Sequence, residues 1–144
     1  MKKIITNSEK QTINLGKKIA RQIRPGAVLG LVGELGAGKT QFVKGLAQGL
    51  GIKKHITSPT FVLIKNYPLP ASRQGINNLI HIDCYRLSGW RALVDLGWHE
   101  LIHNPHNIIV VEWADNIQEI MPQQTRWIKF IATQKENERK IILK

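Results

Sequence analysis

The residues Gly33-Glu34-Leu35-Gly36-Ala37-Gly38-Lys39-Thr40 place glycines, a lysine and a hydroxyl at the spacing G-x-x-x-x-G-K-[ST]. The chemistry open to such a run is the wrapping of a phosphate chain. A loop that does this aims successive backbone N–H groups inward, which requires positive φ, and glycine adopts that without steric cost. Gly33, Gly36 and Gly38 supply it. Lys39 can set its ammonium on the β and γ phosphates, and the Thr40 hydroxyl is positioned to ligate Mg²⁺. Two acids complete the reactive set. Residues 108–111 are four apolar β-formers ending in Glu112, the Walker B pattern in which a buried strand delivers a carboxylate to the metal end of a nucleotide. In residues 78–83 the alternation sets His81 and Asp83 on one face, which continues toward Tyr85.

A phosphate loop needs a strand before it and a helix after it. Residues 27–32 are a nearly all-apolar run following the Pro25-Gly26 turn and read as a buried parallel strand. Residues 39–50 carry Phe42, Val43, Leu46, Ala47 and Leu50 at helical spacing, with glycines at 49 and 51 to stop the helix. Upstream, a short strand at residues 4–6 meets Ser8, an N-cap with Gln11 placed to close a capping box. Thr12, Leu15, Gly16, Ile19, Ala20 and Ile23 then form one stripe of a scaffold helix.

Downstream, Thr57, Ser58 and Thr60 precede a β-rich run over residues 61–67. This hydroxyl segment is either turn chemistry or a nucleotide-sensing switch. Residues 68–75 read as a loop joining that strand to residues 78–83 in a long hairpin. Ser88 is a candidate cap for a helix over residues 89–95, with a further helical turn over 98–102. Trp90 and Trp98 serve packing or an interface. His99, His103 and His106 lack partners at metal-ligand spacing, which argues against zinc. A short helical piece over residues 117–121 precedes strands at 127–131 and 140–143, so the chain ends in a β-hairpin.

The 144 residues suit one domain, and 42% hydrophobic content is ordinary for a globular chain. The single cysteine, Cys84, cannot form an internal disulfide. No apolar run reaches the roughly 20 residues of a membrane span, and no signal h-region follows the first lysines, so the expectation is a cytoplasmic protein. The formal charge is +11, which raises association with polyanions such as RNA, although no basic cluster interleaved with aromatics stands out along the sequence.

Together, residues 34–40, Ser58-Pro59-Thr60-Phe61, His81-x-Asp83-x-Tyr85-Arg86-Leu87 and Glu112-Trp113 resemble the TsaE (YjeE) family in order and separation, across roughly residues 4–143. The resemblance implies a single P-loop ATPase domain over residues 1–144. Its fold would be a P-loop NTPase-like three-layer α/β/α arrangement, with a mixed, mainly parallel sheet and a C-terminal hairpin. It implies ATP and Mg²⁺ as cofactors and the TsaB and TsaD proteins as partners. Its activity would support N6-threonylcarbamoyladenosine formation in tRNA, and whether the tRNA is reached indirectly or by direct contact stays open. By position, Lys39 would hold the phosphates, and Thr40 and Glu112 the Mg²⁺. Asp83 would sit on the metal or on the attacking water, which makes Lys39, Asp83 and Glu112 the catalytic set. Gly33 to Thr40 would cradle the phosphates, with Gln41 beside them where the family usually repeats threonine. Thr60 matches the switch hydroxyl, Trp113 the aromatic beside the site, and Glu9 lies in the segment that would meet adenine. Asp115 replaces a common glutamate, and Trp90 and Arg91 stand where relatives are acid-rich.

Two other function classes compete. A small-molecule or nucleotide kinase shares the loop but needs an arginine-bearing lid and an acceptor pocket, and no clustered lid arginines are found. A non-catalytic RNA-binding adaptor would use nucleotide only to fold, and a turnover assay separates it. A GTPase is disfavoured by the absence of N-K-x-D.

Overall fold

The computed structural model describes residues 1–59 and 63–144. Strand β1 (Lys2–Thr6) leads into α1 (Glu9–Gln22) through Ser8, whose extended backbone and side chain cap the helix: Gln11 N–H donates to Ser8 Oγ at 3.1 Å. The Gln11 side chain reaches back as expected but accepts from Asn7 N–H, at 2.7 Å, one residue earlier than in the reciprocal capping box. The chain continues through β2 (Val28–Gly33), α2 (Lys39–Gly49), β3 (Ile64–Arg73), β4 (Ile76–Asp83), α3 (Arg91–Asp95), α4 (Trp98–His103) and β5 (Asn107–Glu112). A 3-10 stretch (Ala114–Ile120), kinked at Ile117, then precedes β6 (Arg126–Ala132) and β7 (Arg139–Leu143).

The strands form one sheet in the order β1-β7-β6-β2-β5-β4-β3. The inner pairs β6/β2, β2/β5 and β5/β4 are parallel, while β7 and β3 run against their neighbours. The sheet is therefore mixed and mainly parallel, and β6 and β7 are the C-terminal hairpin. Helices cover both faces, which explains why β5 is apolar on both sides. On one face α1 and α2 pack Leu15, Ile19, Phe42 and Leu46 on Leu29, Leu31, Leu79 and Val110. On the other, Leu93, Trp98 and Ile117 pack on Val28, Ile80, Ile82 and Val111. The result is a three-layer α/β/α fold.

Helices α1 and α2 approach backbone to backbone. A Cβ on Gly45 would lie 1.9 Å from the Ile13 carbonyl oxygen, and one on Gly16 would lie 2.3 Å from that of Phe42. Only glycine permits so close a crossing.

Two local expectations need correction. Residues 68–75 are not a loop: β3 runs on through Pro68 and Pro70 to Arg73, and the turn is only Gln74 and Gly75, at φ 50 and 86. Proline is tolerated because β3 is an edge strand, and the register shifts between Pro68 and Arg73. Ser88 does not cap a helix. α3 starts behind Trp90 with no side-chain cap, and it is anchored by fully buried Leu93. The expected strand start at Phe61 and Val62 lies outside the described residues.

Candidate functional site

Three adjacent parallel strands, β2, β5 and β4, end at Gly33, Glu112 and Asp83. In the ladder Leu31 pairs with Glu112 and Glu112 with Asp83. This sets both acids at the C-terminal edge of the sheet on the face covered by α1 and α2, where open α/β sheets bind ligands. The glycine-rich turn between β2 and α2 faces the same edge. Gly36 and Gly38 hold φ of 78 and 102, and Gly38 is the left-handed residue from which α2 starts at Lys39.

Lys39 is 5% exposed. Its Nζ donates to the Glu34 carbonyl at 2.8 Å and to the Gly33 carbonyl, and it stands 4.2 Å from the ring centroid of Trp113. Burial pushes its ammonium below the ordinary pKa of 10.5, while the carboxylates of Glu112, Asp83, Asp115 and Glu34 pull the other way. Trp113 reaches this position because its backbone is left-handed, at φ 58, which turns the chain sharply after β5. Its ring leans on that of Tyr85 at 4.9 Å.

Glu112 is 3% exposed and satisfied on both oxygens. Thr40 Oγ1 donates to Oε1 at 3.0 Å, and His81 Nε2 contacts Oε2 at 2.6 Å. His81 is fully buried, and its Nδ1 has no hydrogen-bond partner among the described residues. Asp83 is held separately: Ser58 Oγ donates to Oδ2 at 2.6 Å and Tyr85 N–H to Oδ1 at 2.9 Å. Burial and the Asp83 charge raise the neighbouring Cys84 thiol to about 12, which keeps it protonated and inert.

These side chains surround a cleft of about 370 Å³. Glu9, the loop from Leu35 to Thr40 (with Gly36, Ala37, Gly38 and Lys39 between), Gln41, Asp83, Glu112 and Trp113 all line it. Gly33 and Glu34 act behind the wall through the carbonyls that hold Lys39. Thr60 lies outside the described residues. Sequence reading missed Thr12, Ser58 as an Asp83 partner, Asn137 and Arg139. Arg139 donates through Nη2 to the Gly36 carbonyl at 3.0 Å and passes over Gly38. It arrives from a hairpin about a hundred residues downstream, and no local pattern signals that contact. Among the described residues no three His, Cys, Asp or Glu side chains gather into a metal cage.

The family described as "Threonylcarbamoyl adenosine biosynthesis protein TsaE" matches residues 6–141. The chain belongs to the TsaE family. Its TsaE relatives include the Bacillus subtilis protein called "tRNA threonylcarbamoyladenosine biosynthesis protein TsaE", 42% identical over 119 residues, which are 83% of this chain and 70% of that one. The Treponema pallidum protein of the same name is 38% identical over 121 residues, 84% of each chain. The crystal structure of Bacillus subtilis YdiB superimposes with a TM-score of 0.79 at 36% identity, covering 99% of this chain and 83% of that one. The TsaE match begins at the end of β1 and closes inside β7, so every wall of the cleft falls within it.

Proposed function

We propose that this protein binds ATP with Mg²⁺ in the cleft and hydrolyses it, and that hydrolysis supports turnover of a TsaB–TsaD complex forming threonylcarbamoyladenosine in tRNA. The observation that carries the reading is the convergence of Lys39, Thr40, Glu112 and Asp83, from two strand ends and one helix start, on one cleft beside a glycine-rich loop. Family membership supplies the tRNA-modification context. No helix among the described residues is long and apolar enough to cross a membrane.

Each residue has a part. The loop N–H groups and the α2 N-terminus offer partial positive charge to phosphate oxygens. Lys39 exchanges neutral carbonyl acceptors for phosphate, and the exchange is favourable because a charge-assisted bond is roughly twice as strong as a neutral one. Thr40 Oγ1 and Glu112 Oε1 already share a hydrogen bond, and this pair of hard oxygen donors fits Mg²⁺. When bound, that ion would neutralise developing charge on the transferred phosphoryl group. Asp83 is an acceptor locked by Ser58 and Tyr85, which suits it to orient a water. Trp113, with Tyr85 against its ring, covers Lys39 and restricts solvent there.

The test is ATP turnover by the purified protein alone, and after titration with TsaB, TsaD and tRNA. Slow basal hydrolysis that rises with the complex is expected, together with pull-down of the complex that depends on nucleotide. Fast turnover indifferent to the complex, with phosphate passed to a small acceptor, overturns the reading in favour of a kinase.

A further inference from the structure

The positive charge of this protein is sorted by the fold. Between residues 10 and 56 the only acid is Glu34, and it sits in the loop at the cleft. On α1 the spacing i, i+7, i+11 sets Lys10, Lys17 and Arg21 in one stripe opposite the buried positions Leu15, Ile19 and Ala20. The helix α2 lies alongside. Gly45 abuts Ile13, and Gly49 abuts Lys17 and Ala20, so the segment after α2 emerges beside the C-terminal half of α1. There Lys44, Lys53 and Lys54 line a second cavity of about 510 Å³. The opposite layer is different: its exposed acids Asp95, Glu100, Asp115 and Glu119 outnumber its exposed bases.

We propose that the α1–α2 face, with the groove at Lys44, Lys53 and Lys54, binds the phosphate backbone of RNA directly, tRNA being the RNA its family context supplies. A basic face could equally meet an acidic protein, and the apolar surface decides between them. Protein interfaces rely on buried aromatic or aliphatic anchors. The exposed large hydrophobic residues among those described are Met1, Ile5, Leu35, Tyr85 and Leu96, and none lies on α1, α2 or the segment that follows. Long, mobile cations without an apolar centre suit phosphates, whose contacts position without reading sequence. This site is separate from the cleft, and the inference does not depend on ATP hydrolysis.

The test is fluorescence anisotropy of an unmodified tRNA transcript titrated with the whole protein, without nucleotide, at two salt concentrations. If about four of the six cations engage phosphates at once, log Kd changes with log salt at a slope near 3, so affinity falls roughly 60-fold between about 50 and 200 mM. Lys17→Glu with Arg21→Glu should weaken binding at least tenfold and flatten the slope by about 2, while ATP turnover by the protein alone stays unchanged. Lys53→Glu with Lys54→Glu, in the groove, should act likewise. Arg91→Glu with Lys129→Glu, an equal change of net charge elsewhere, should alter affinity less than twofold. Equal losses in all three double variants would mean that net charge alone acts, and would overturn the proposal. So would undetectable binding up to about 10⁻⁴ M at the lower salt, or competition by polyglutamate as effective as by unlabelled tRNA. A failure of the ATPase reading shows instead as unchanged turnover in Lys39→Ala, with RNA binding intact.

Discussion

Replacing His81 by alanine tests how the Glu112 carboxylate is held. The substitution removes the 2.6 Å contact to Oε2 and leaves that oxygen buried at the sheet edge with only the Thr40 bond on its neighbour. Leaving a buried carboxylate oxygen without its hydrogen-bond partner costs about 3 kcal/mol. One effect opposes this: His81 Nδ1 is itself buried and unpartnered, and removing it relieves a penalty of about 1–2 kcal/mol. The first effect wins, leaving a net loss of about 1–2 kcal/mol, or a fall in Tm of about 5 °C for a chain of this size. Urea denaturation of wild type, His81→Ala and His81→Asn checks it, the asparagine retaining a donor and recovering part of the loss. A second readout is specific to the role: the Mg²⁺ concentration needed for half-maximal turnover should rise by about 10–100-fold in His81→Ala. Wild-type stability and wild-type Mg²⁺ dependence in the alanine variant would refute the reasoning.

Lys39→Ala should lower ATP turnover by about 10²-fold or more while circular dichroism stays native, because the lost ammonium bonds loop carbonyls at the cleft and belongs to neither apolar core cluster. Burial lowers the Lys39 pKa, so between that value and 10.5 the unfolded chain binds more protons than the native one. The lysine's contribution to stability therefore rises with pH through that window and is flat below it, where both states carry the proton; the stability difference between wild type and Lys39→Met, followed by urea titration from neutral pH to 10.5, should change only within that window. Glu112→Ala should weaken Mg·ATP binding in calorimetry, whereas Asp83→Asn should leave binding near wild type and lower turnover; the reverse assignment of effects would exchange their roles. Gly45→Ala should destabilise by about 1–3 kcal/mol or more, since its Cβ meets a backbone carbonyl that cannot rotate away, while Gly89→Ala, with open space around it, should be neutral in thermal melts.

What could be read from sequence was whatever is encoded locally. The loop at residues 33–40 announces itself because phosphate wrapping and helix initiation need the same glycines, and Glu112 because a strand buried on both faces is apolar until it reaches the sheet edge. The stripe of α1 likewise follows from its period. Prolines at 68 and 70 misled, since their missing donors matter in a central strand and not on the free side of β3. The bond from Ser58 to Asp83 and the reach of Arg139 over the loop depend on how distant segments dock, and neither leaves a periodic trace. The basic face was hidden for a related reason. Its lysines are spread over about 45 residues, and only the crossing of α1 with α2 gathers them.

That crossing also governs how the cleft can move. Where two helices touch through side chains, rotamer changes absorb small displacements; where glycine backbone meets carbonyl, there is no such slack. The helix that bears Lys39 and Thr40 is thereby fastened to the one that bears Glu9 and Thr12, and together they form the fixed jaw of a vice. Travel is left to the facing jaw, where Ser58, Tyr85 and Trp113 hang on segments outside regular helix and strand. A change in what the cleft holds is consequently felt on the β4–β5 side of the molecule, and the α1–α2 surface keeps its shape throughout.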